Sequence, residues 1–323
     1  MIIVTGGAGF IGSAFVWKLN CEGIEDVIVV DHLGTSDKWK NLVPLRFEDY
    51  LRKDDFFEMV CDDDVPFEVS AVVHMGACSS TTERDADYPW ENNFAYTRTL
   101  AEWALDHDIR FIYASSAATY GDGTQGFSDE HAKIPELRPI NMYGYSKQVF
   151  DLWVLRHKLE NQMAGIKFFN VFGPNEYHKG DMTSVIFKAF HQIRQTGKVR
   201  LFKSYLPAYP DGGQMRDFVY VKNCVDVLWW LLKHPKTNGI FNLGTGRART
   251  WNDLINAVYA AMNLAPDIEY IEMPEGLRNQ YQYFTEADTG KLKKAGAPVD
   301  FPALEDSVRD YVQNYLQKPD PHL

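Results

Sequence analysis

The sequence has few cysteines and no long apolar run. Its 323 residues include four cysteines (Cys21, Cys61, Cys78 and Cys224), with no C-x-x-C spacing and no companion histidine pattern. This pattern argues against a disulfide framework or a zinc site and is typical of reduced thiols in a reducing compartment. The apolar run "VDVLWWLL" (225–232) is too short to span a bilayer.

A secretion signal and an excess of basic charge are also missing. The opening "MIIVTGG" enters a strand without the basic segment that begins a secretion signal, so we expect a cytoplasmic protein. Lys and Arg together number 33 against 44 Asp and Glu, which gives a net charge of −11. This acidic balance argues against nucleic acid or an anionic membrane as a partner.

The first half of the chain alternates short apolar runs with amphipathic stretches. The runs are "IIVT", "VIVVD", "SAVVHMG", "RFIYASS" and "IKFFNV", and the amphipathic stretches are 11–22, 50–61, 90–107 and 141–160. Such alternation predicts an α/β fold, a Rossmann-type doubly wound parallel sheet covered by helices on both faces. We expect a dinucleotide-binding domain at 1–170, to which 216–247 returns. A smaller, mostly α substrate-binding domain is expected at 171–215 and 248–323.

A glycine-rich turn follows the first predicted strand. In "TGGAGFIGS" (5–13), Gly6, Gly9 and Gly12 are spaced G-x-x-G-x-x-G, and Asp31 ends the next strand. Glycines there let a pyrophosphate approach the backbone and the helix N-terminus. The pattern predicts a dinucleotide site.

The choice between NAD and NADP stays open on physical grounds. Asp31 would accept a hydrogen bond from a ribose 2′-hydroxyl, which favours NAD. Lys38 and the more distant Lys53 could instead neutralise a 2′-phosphate. Small residues in "HMGACSS" (74–80) leave room for a cofactor at a strand end, and Asn92 is a candidate for holding that loop or the ribose.

Two further stretches carry candidate acid–base groups. "YASSAATYG" (113–121) ends a strand with Ser116, and "NMYGYSK" (141–147) follows it. In a helix, Tyr143 and Lys147 share one face, and Tyr145 points nearly opposite, where we expect packing. The lysine charge is expected to lower the Tyr143 pKa, the lysine stem to hold the nicotinamide ribose, and Ser116 to bond the reacting oxygen.

With these motifs the chain resembles the extended short-chain dehydrogenase/reductases that act on nucleotide sugars. "TGGAGFIGS", "SSAATYG" and "YGYSK" carry that resemblance. Longer blocks are similar to the family's ADP-heptose 6-epimerases, namely "GACSSTTE", "FNVFGPNEYHKG", "RDFVYV", "GIFNLGTGRA" and "YQYFTEAD". The similarity runs nearly from end to end.

The resemblance implies an epimerase that uses NADP. Hydride leaves C6 of an ADP-heptose to give a transient 6-ketone, and then returns to the other face. Lys179 in "YHKGD" matches the family's second catalytic base. A lysine must be desolvated or lie near cations to lose its proton at neutral pH, and the neighbouring His178 and Lys188 are candidates for such a contribution.

The resemblance also supplies an expected residue set. The cofactor residues are Gly6, Gly9, Phe10, Ile11, Gly12, Asp31, His32, Lys38, Lys53, Met75, Gly76, Ala77, Cys78, Ser79, Asn92, Tyr143, Lys147 and Val171. The substrate residues are Ser116, Asn170, Lys179, Asp181, Lys188, Phe202, Lys203, Ser204, Tyr205, Arg216 and Tyr281, with Arg216 as the diphosphate clamp. No metal is expected, and the family implies a homo-oligomer such as a pentamer.

The chain departs from the family pattern in places, and alternatives remain. Asp181 and Lys188 stand where relatives carry Ser and His, and the 204–214 loop is longer. A UDP-sugar 4-epimerase is the alternative enzyme, and a catalytically inactive NAD(P)-sensing protein is the alternative of another class. The sensor would predict a broken Ser/Tyr/Lys set. A 4,6-dehydratase is disfavoured because Ala117 and Ala118 follow Ser116 where that chemistry needs acids.

Overall fold

A seven-stranded parallel sheet forms the centre of the structure, a computed structural model that describes residues 1–81, 83–278 and 281–323. Its strands lie in the order β11-β6-β5-β4-β1-β2-β3. They are β1 (Ile2–Thr5), β2 (Val27–Asp31), β3 (Asp49–Arg52), β4 (Ala71–His74), β5 (Arg110–Ser116), β6 (Ala164–Phe168) and β11 (Gly239–Leu243). The predicted doubly wound parallel sheet is confirmed.

Among the residues that the structure describes, six short strands pair outside this sheet. They are β7 (Asn170–Phe172), β8 (Val199–Phe202), β9 (Met215–Arg216), β10 (Phe218–Tyr220), β12 (Arg249–Thr250) and β13 (Ile268–Ile271). β7 pairs with β10, β9 with β12, and β8 with β13. The expected return to the sheet after residue 216 is therefore made by β11 alone, because β10 pairs with β7.

Helices cover both faces of the sheet. The α-helices are α1 (Phe10–Cys21), α2 (Lys53–Cys61), α3 (Asp87–Pro89), α4 (Tyr96–Asp106), α5 (Met142–Arg156), α6 (Val185–Thr196), α7 (Val221–Lys233), α8 (Trp251–Ala261), α9 (Glu275–Arg278), α10 (Gly290–Lys294) and α11 (Leu304–Tyr311). Short 3₁₀ helices lie at Asp37–Leu42, Ala117–Tyr120, Ile134–Glu136, Leu159–Asn161 and Tyr177–Met182. π-Helical turns lie at Trp90–Ala95 and Val312–Leu316. The stretch 50–61, expected to be helical throughout, begins instead as edge strand β3.

Two buried apolar clusters lie on the two faces of the sheet. One includes Phe15 of α1 and Leu228 of α7, and it continues through Phe190 of α6 to Val308 of α11. The other gathers side chains of α2, α4 and α5. Because the first cluster runs from the sheet into the C-terminal helices, the apolar core has no gap at the expected domain boundary, and the proposed division stays a prediction.

All four cysteines are free thiols. Across 1–81, 83–278 and 281–323, no helix is long and apolar enough to cross a membrane. The same residues contain no group of three or more His, Cys, Asp or Glu side chains arranged to hold a metal ion.

Candidate active site

The glycine turn after β1 closes tightly against the loop after β4. Gly6 has φ +63°, and a Cβ there would lie 2.6 Å from the Gly76 nitrogen. A Cβ on Gly12 would collide with the Gly6 oxygen. No side chain caps the N-cap Gly9, and the first turn of α1 holds no acid. The first N–H groups of α1 therefore stay available for an anion.

Asp31 at the end of β2 is held by three donors. Its Oδ2 accepts the Ala8 N–H at 2.9 Å, and its Oδ1 accepts the His32 N–H at 2.7 Å. Lys38 Nζ lies 2.7 Å from the same Oδ1. The carboxylate is thus bound to the glycine turn and balanced by a cation.

A first cleft of about 500 Å³ opens over the turn, a volume within the range of small-molecule sites. The expected cofactor residues that line it are Gly6, Gly9, Phe10, Ile11, Gly12, Asp31, Lys38, Met75, Gly76, Ala77, Ser79, Tyr143, Lys147 and Val171. His32, Lys53, Cys78 and Asn92 do not line it. Instead, Lys53 Nζ donates to Asn92 Oδ1 at 2.9 Å.

The loop after β4 is held by Asn93 rather than by Asn92. Asn93 Oδ1 accepts the Cys78 N–H at 2.7 Å, and Asn93 Nδ2 donates to the Cys78 carbonyl at 2.9 Å. The π-helical turn at Trp90–Ala95 carries both asparagines, and its helical register, which sequence spacing does not reveal, decides which one faces the loop.

The structure brings the predicted Ser/Tyr/Lys set together at the start of α5. Asn141 caps this helix by accepting the Gly144 N–H at 2.8 Å. A Cβ on Gly144 would lie 2.6 Å from the Ala118 oxygen, so the helix start packs closely on the turn after Ser116. The Ser116 hydroxyl is hydrogen-bonded to Tyr143. Tyr145 faces away as expected, but 48% of it is exposed, so the expected packing is wrong.

Burial dominates the ionisation of this set. Burial raises the Tyr143 pKa above its ordinary value, and the Ser116 hydrogen bond opposes that rise. Burial lowers the Lys147 pKa to about 8, against the charge of Asp151. The expected lowering of the Tyr143 pKa by Lys147 is not found, because burial of the phenol is the largest cause and raises that pKa.

Lys179 lies on the 3₁₀ helix Tyr177–Met182 and lines the same cleft. Its Nζ is 5.4 Å from the centre of the Phe10 ring. Burial lowers the Lys179 pKa, and the Glu176 charge opposes this. His178 and Lys188 do not contribute: burial and nearby lysines lower the His178 pKa to about 4, and Lys188 Nζ donates to the Asp181 carbonyl at 2.7 Å.

Two further clefts continue the first. The second is lined by Ser116, Tyr143, Lys179 and the expected Asn170, so it shares the acid–base groups with the first. The third shares Val185 and Trp251 with the second. Of the expected substrate residues, the third is lined by Lys188, Phe202 and Tyr281.

Arg216 is buried beside this passage. Its guanidinium lies 5.7 Å from the Trp251 ring and 5.4 Å from the Tyr281 ring. It donates to the carbonyls of Met215 and Gln282. Arg216 is not among the residues that line the three clefts, so its role as the diphosphate clamp stays a prediction.

The remaining expected substrate residues do not line the clefts. Lys203 Nζ and the Tyr205 hydroxyl both bond to Glu272, and the Ser204 N–H donates to Asp211 at 2.7 Å. Asp181 is exposed, and its carbonyl accepts from Lys188. Their substrate roles stay predictions.

Several lining residues were not anticipated from the sequence. They are Ser36, Ala114, Ser115, Phe168, Phe169 and Met182 in the first cleft, and Gln282 and Thr285 in the second. Phe168 ends β6 and pairs in register with Ser116. Applying the strand-end rule to β6 would have found it.

A glycine turn at the point where the strand order reverses, with Ser, Tyr and Lys at the same sheet edge, defines a nicotinamide-dependent enzyme of the short-chain dehydrogenase/reductase type. A family model described as the NAD dependent epimerase/dehydratase family matches residues 2–244. The chain belongs to this family.

Comparison with known proteins supports the similarity to ADP-heptose 6-epimerases that the longer sequence blocks indicate. The ADP-L-glycero-D-manno-heptose-6-epimerase of Nitratidesulfovibrio vulgaris is 63% identical over the full length of both chains. The crystal structure of the Helicobacter pylori ADP-L-glycero-D-manno-heptose-6-epimerase is similar with a TM-score of 0.82 and 25% identity, covering 97% of this chain and 95% of that one. The crystal structure of the Thermus thermophilus UDP-glucose 4-epimerase, solved with NAD, is similar with a TM-score of 0.74 and 25% identity. The similarity covers 97% of this chain and 97% of that one.

The glycine turn predicts a selective loss of nucleotide binding. Gly12→Ala should weaken NADP⁺ and NAD⁺ binding at least about tenfold in calorimetric titrations, because the new methyl collides with the Gly6 carbonyl and moves the helix N-terminus. Gly276→Ala is the matched control, since a Cβ there meets nothing within 4 Å. A folded Gly12→Ala protein that binds as well as the control would contradict the assignment.

Proposed function

We propose that the protein inverts C6 of ADP-D-glycero-D-manno-heptose to give ADP-L-glycero-D-manno-heptose, in the supply of lipopolysaccharide core precursors. The names of its full-length relatives support this substrate. The observation that carries the reaction type is that Tyr143 and Lys179, from two different elements, both line the first and second clefts. A simple dehydrogenase needs one acid–base group, whereas an inversion through a ketone needs proton transfer on two faces.

The first cleft fits a nicotinamide dinucleotide. Gly6 and Gly12 let the turn pack closely against Gly76 and let the start of α1 pack against the turn, and the uncapped start of α1 offers N–H donors to a pyrophosphate. When bound, the oxidised nicotinamide accepts a hydride from C6 and later returns it. Lys147 and Tyr143 would lie beside its ribose.

NADP is the proposed form of the cofactor. Lys38 lines the cleft together with Ser36, and Lys38 Nζ lies 2.7 Å from Asp31 Oδ1 at the end of β2. Lys38 neutralises the charge of Asp31. A 2′-phosphate bound there would therefore contact the Lys38 ammonium and would not be repelled by an unpaired carboxylate. Lys53, which is bonded to Asn92, plays a smaller part in this proposal.

The chain's own groups then move the protons. One of the pair Tyr143 and Lys179 takes the proton of the C6 hydroxyl as the hydride leaves C6, and a 6-ketone forms. Ser116 holds the reacting oxygen with its hydroxyl. After the ketone reorients, the hydride returns to the other face, and the second group of the pair gives the oxygen a proton. No net oxidation results.

The second and third clefts would hold the ADP-heptose. Asn170, which lines the second cleft together with Ser116, would contact the sugar, and the Arg216 guanidinium would bind the diphosphate. Lys188, Phe202 and Tyr281 would line the path of the nucleotide. A homo-oligomer stays a prediction.

A parallel assay of two substrates tests the function. Wild-type protein should invert C6 of ADP-D-glycero-D-manno-heptose, followed by NMR, and leave UDP-galactose unchanged. Tyr143→Phe and Lys179→Met should each lower kcat about 100- to 10,000-fold, the usual contribution of an acid–base group. Tyr145→Phe and Lys236→Met, both at exposed positions, are the matched controls.

Three outcomes would contradict this function. Turnover of UDP-galactose alone would make the protein a 4-epimerase, and no turnover of either sugar would favour a nucleotide sensor. An active Tyr143→Phe protein would remove the central acid–base assignment.

The cofactor form is tested by the nucleotide released on denaturing the purified protein. Wild type should release mainly NADP. Lys38→Ala should shift the NADP-to-NAD ratio about tenfold toward NAD, because one charge-assisted bond to phosphate is lost. Lys40→Ala is the control, since Lys40 is paired with Asp37 at 2.9 Å. NAD in the wild type would overturn the proposal.

A further inference from the structure

A buried network of hydrogen bonds, made by polar side chains and the main-chain carbonyl of Asn93, connects the glycine turn with the catalytic helix, and the proton transfers do not use it. Its members, called the relay below, are Thr5, His74, Thr97, Asn93 and Ser146, each at most 2% exposed. It begins where Gly76 N–H donates to Thr5 Oγ1 at 3.4 Å and ends where Ser146 Oγ donates to the Tyr143 carbonyl at 2.8 Å.

The hydrogen atoms of the relay can be placed from its geometry. Thr97 Oγ1 donates to the main-chain carbonyl of Asn93, one helical turn earlier, at 2.6 Å. Since a hydroxyl has one hydrogen, Thr97 must accept from His74 Nε2, which lies 2.9 Å away. In a neutral ring Nδ1 is then the acceptor, and it takes the Thr5 hydroxyl hydrogen at 2.6 Å. One tautomer of His74 satisfies all these contacts.

His74 is a neutral residue at working pH. Burial and the nearby Lys147 charge lower its pKa to about 3. A proton on Nδ1 would also replace the acceptor that the Thr5 hydroxyl needs. The ring therefore serves as a fixed donor and acceptor, and it does not exchange protons.

The far end of the relay orients two functional segments. Asn93 binds both backbone groups of Cys78, in the loop that lines the first cleft. Asn93 Nδ2 also donates to Ser146 Oγ at 3.0 Å, and Ser146 bonds to the Tyr143 carbonyl. A change in the orientation of Asn93 would move the loop and Tyr143 relative to each other.

We propose that His74 is a positioning residue: through Thr97 and Asn93 it fixes the loop at 76–80 against the first turn of α5. This inference rests on the proposed function, because its effect on rate requires Tyr143 to be catalytic. A misplacement of about 1 Å between reacting groups is enough to slow a reaction roughly 100-fold.

Four variants separate positioning from packing. His74→Phe keeps an aromatic ring facing Tyr96 and Phe111, whose ring centres lie 6.0 and 6.1 Å away, but removes both hydrogen bonds. Thr97→Val removes the next contact without changing volume. The side-chain amide of His74→Gln can place an N–H near the position of Nε2 and so can still donate to Thr97. The shorter side chain of His74→Asn can reach Thr5 but not Thr97.

With ADP-heptose as substrate, His74→Phe and Thr97→Val should each lower kcat about 10- to 100-fold and change KM by less than about twofold. The double variant should be no slower than the slower single one, because both break the same chain. His74→Gln should recover at least about half of the lost rate, and His74→Asn should not. The exposed His157→Phe is the control.

A second measurement, the reactivity of Cys78, requires no turnover and therefore does not depend on ADP-heptose being the substrate. Alkylation of Cys78 by iodoacetamide, measured by peptide mass mapping against the exposed Cys21, should be several-fold faster in His74→Phe and Thr97→Val than in wild type. If the wild-type protein fails to epimerise the sugar but Cys78 is alkylated faster in the two variants, the proposed function is contradicted and the positioning role of His74 is supported. Folded His74→Phe protein with wild-type kcat and wild-type Cys78 reactivity would overturn the relay, as would additive losses in the double variant.

Discussion

The parallel pairing of β1 with β4 is the contact on which the site depends. These neighbours are separated in the chain by β2 and β3, so the connections leave in opposite directions and a crevice opens at their carboxyl ends. Their register sets Thr5 opposite His74 and brings Gly6 against Gly76. The glycine turn, the loop that lines the first cleft and the relay all follow from this one alignment.

Desolvation is the force that sets the chemistry at this edge. It lowers the pKa of Lys147 and of Lys179, and it raises that of Tyr143. For both lysines the largest cause of the lowered pKa is burial, without a cluster of other cations. The tyrosine depends on hydrogen bonding from Ser116 to offset its burial. The same burial keeps His74 uncharged, which suits a residue that holds others in place.

Local signals in the sequence predicted the parts of this site that depend on short spacing. Gly6, Gly9 and Gly12 occupy one turn, and Tyr143 and Lys147 one helix face, so their arrangement follows from the period of the element. Lys179 was expected only from family resemblance, because its position depends on a 3₁₀ helix that packs near Phe10. His74 and Asn93 were missed as partners because strand register and a π-helical turn, neither visible in spacing, bring them together. Likewise, β3 was read as part of a helix, since its strand character comes from pairing with β2.

The most direct test of the account follows the fate of the hydrogen at C6. Wild-type protein incubated with ADP-D-glycero-D-manno-heptose deuterated at C6 should yield the inverted epimer with the deuterium still on C6, because the hydride is held by the bound nucleotide and returned to the same carbon. Loss of the deuterium to water during inversion would mean that the C6 hydrogen leaves as a proton. That result would contradict the removal of a hydride from C6 and its return to the other face, together with the roles given to Tyr143 and Lys179.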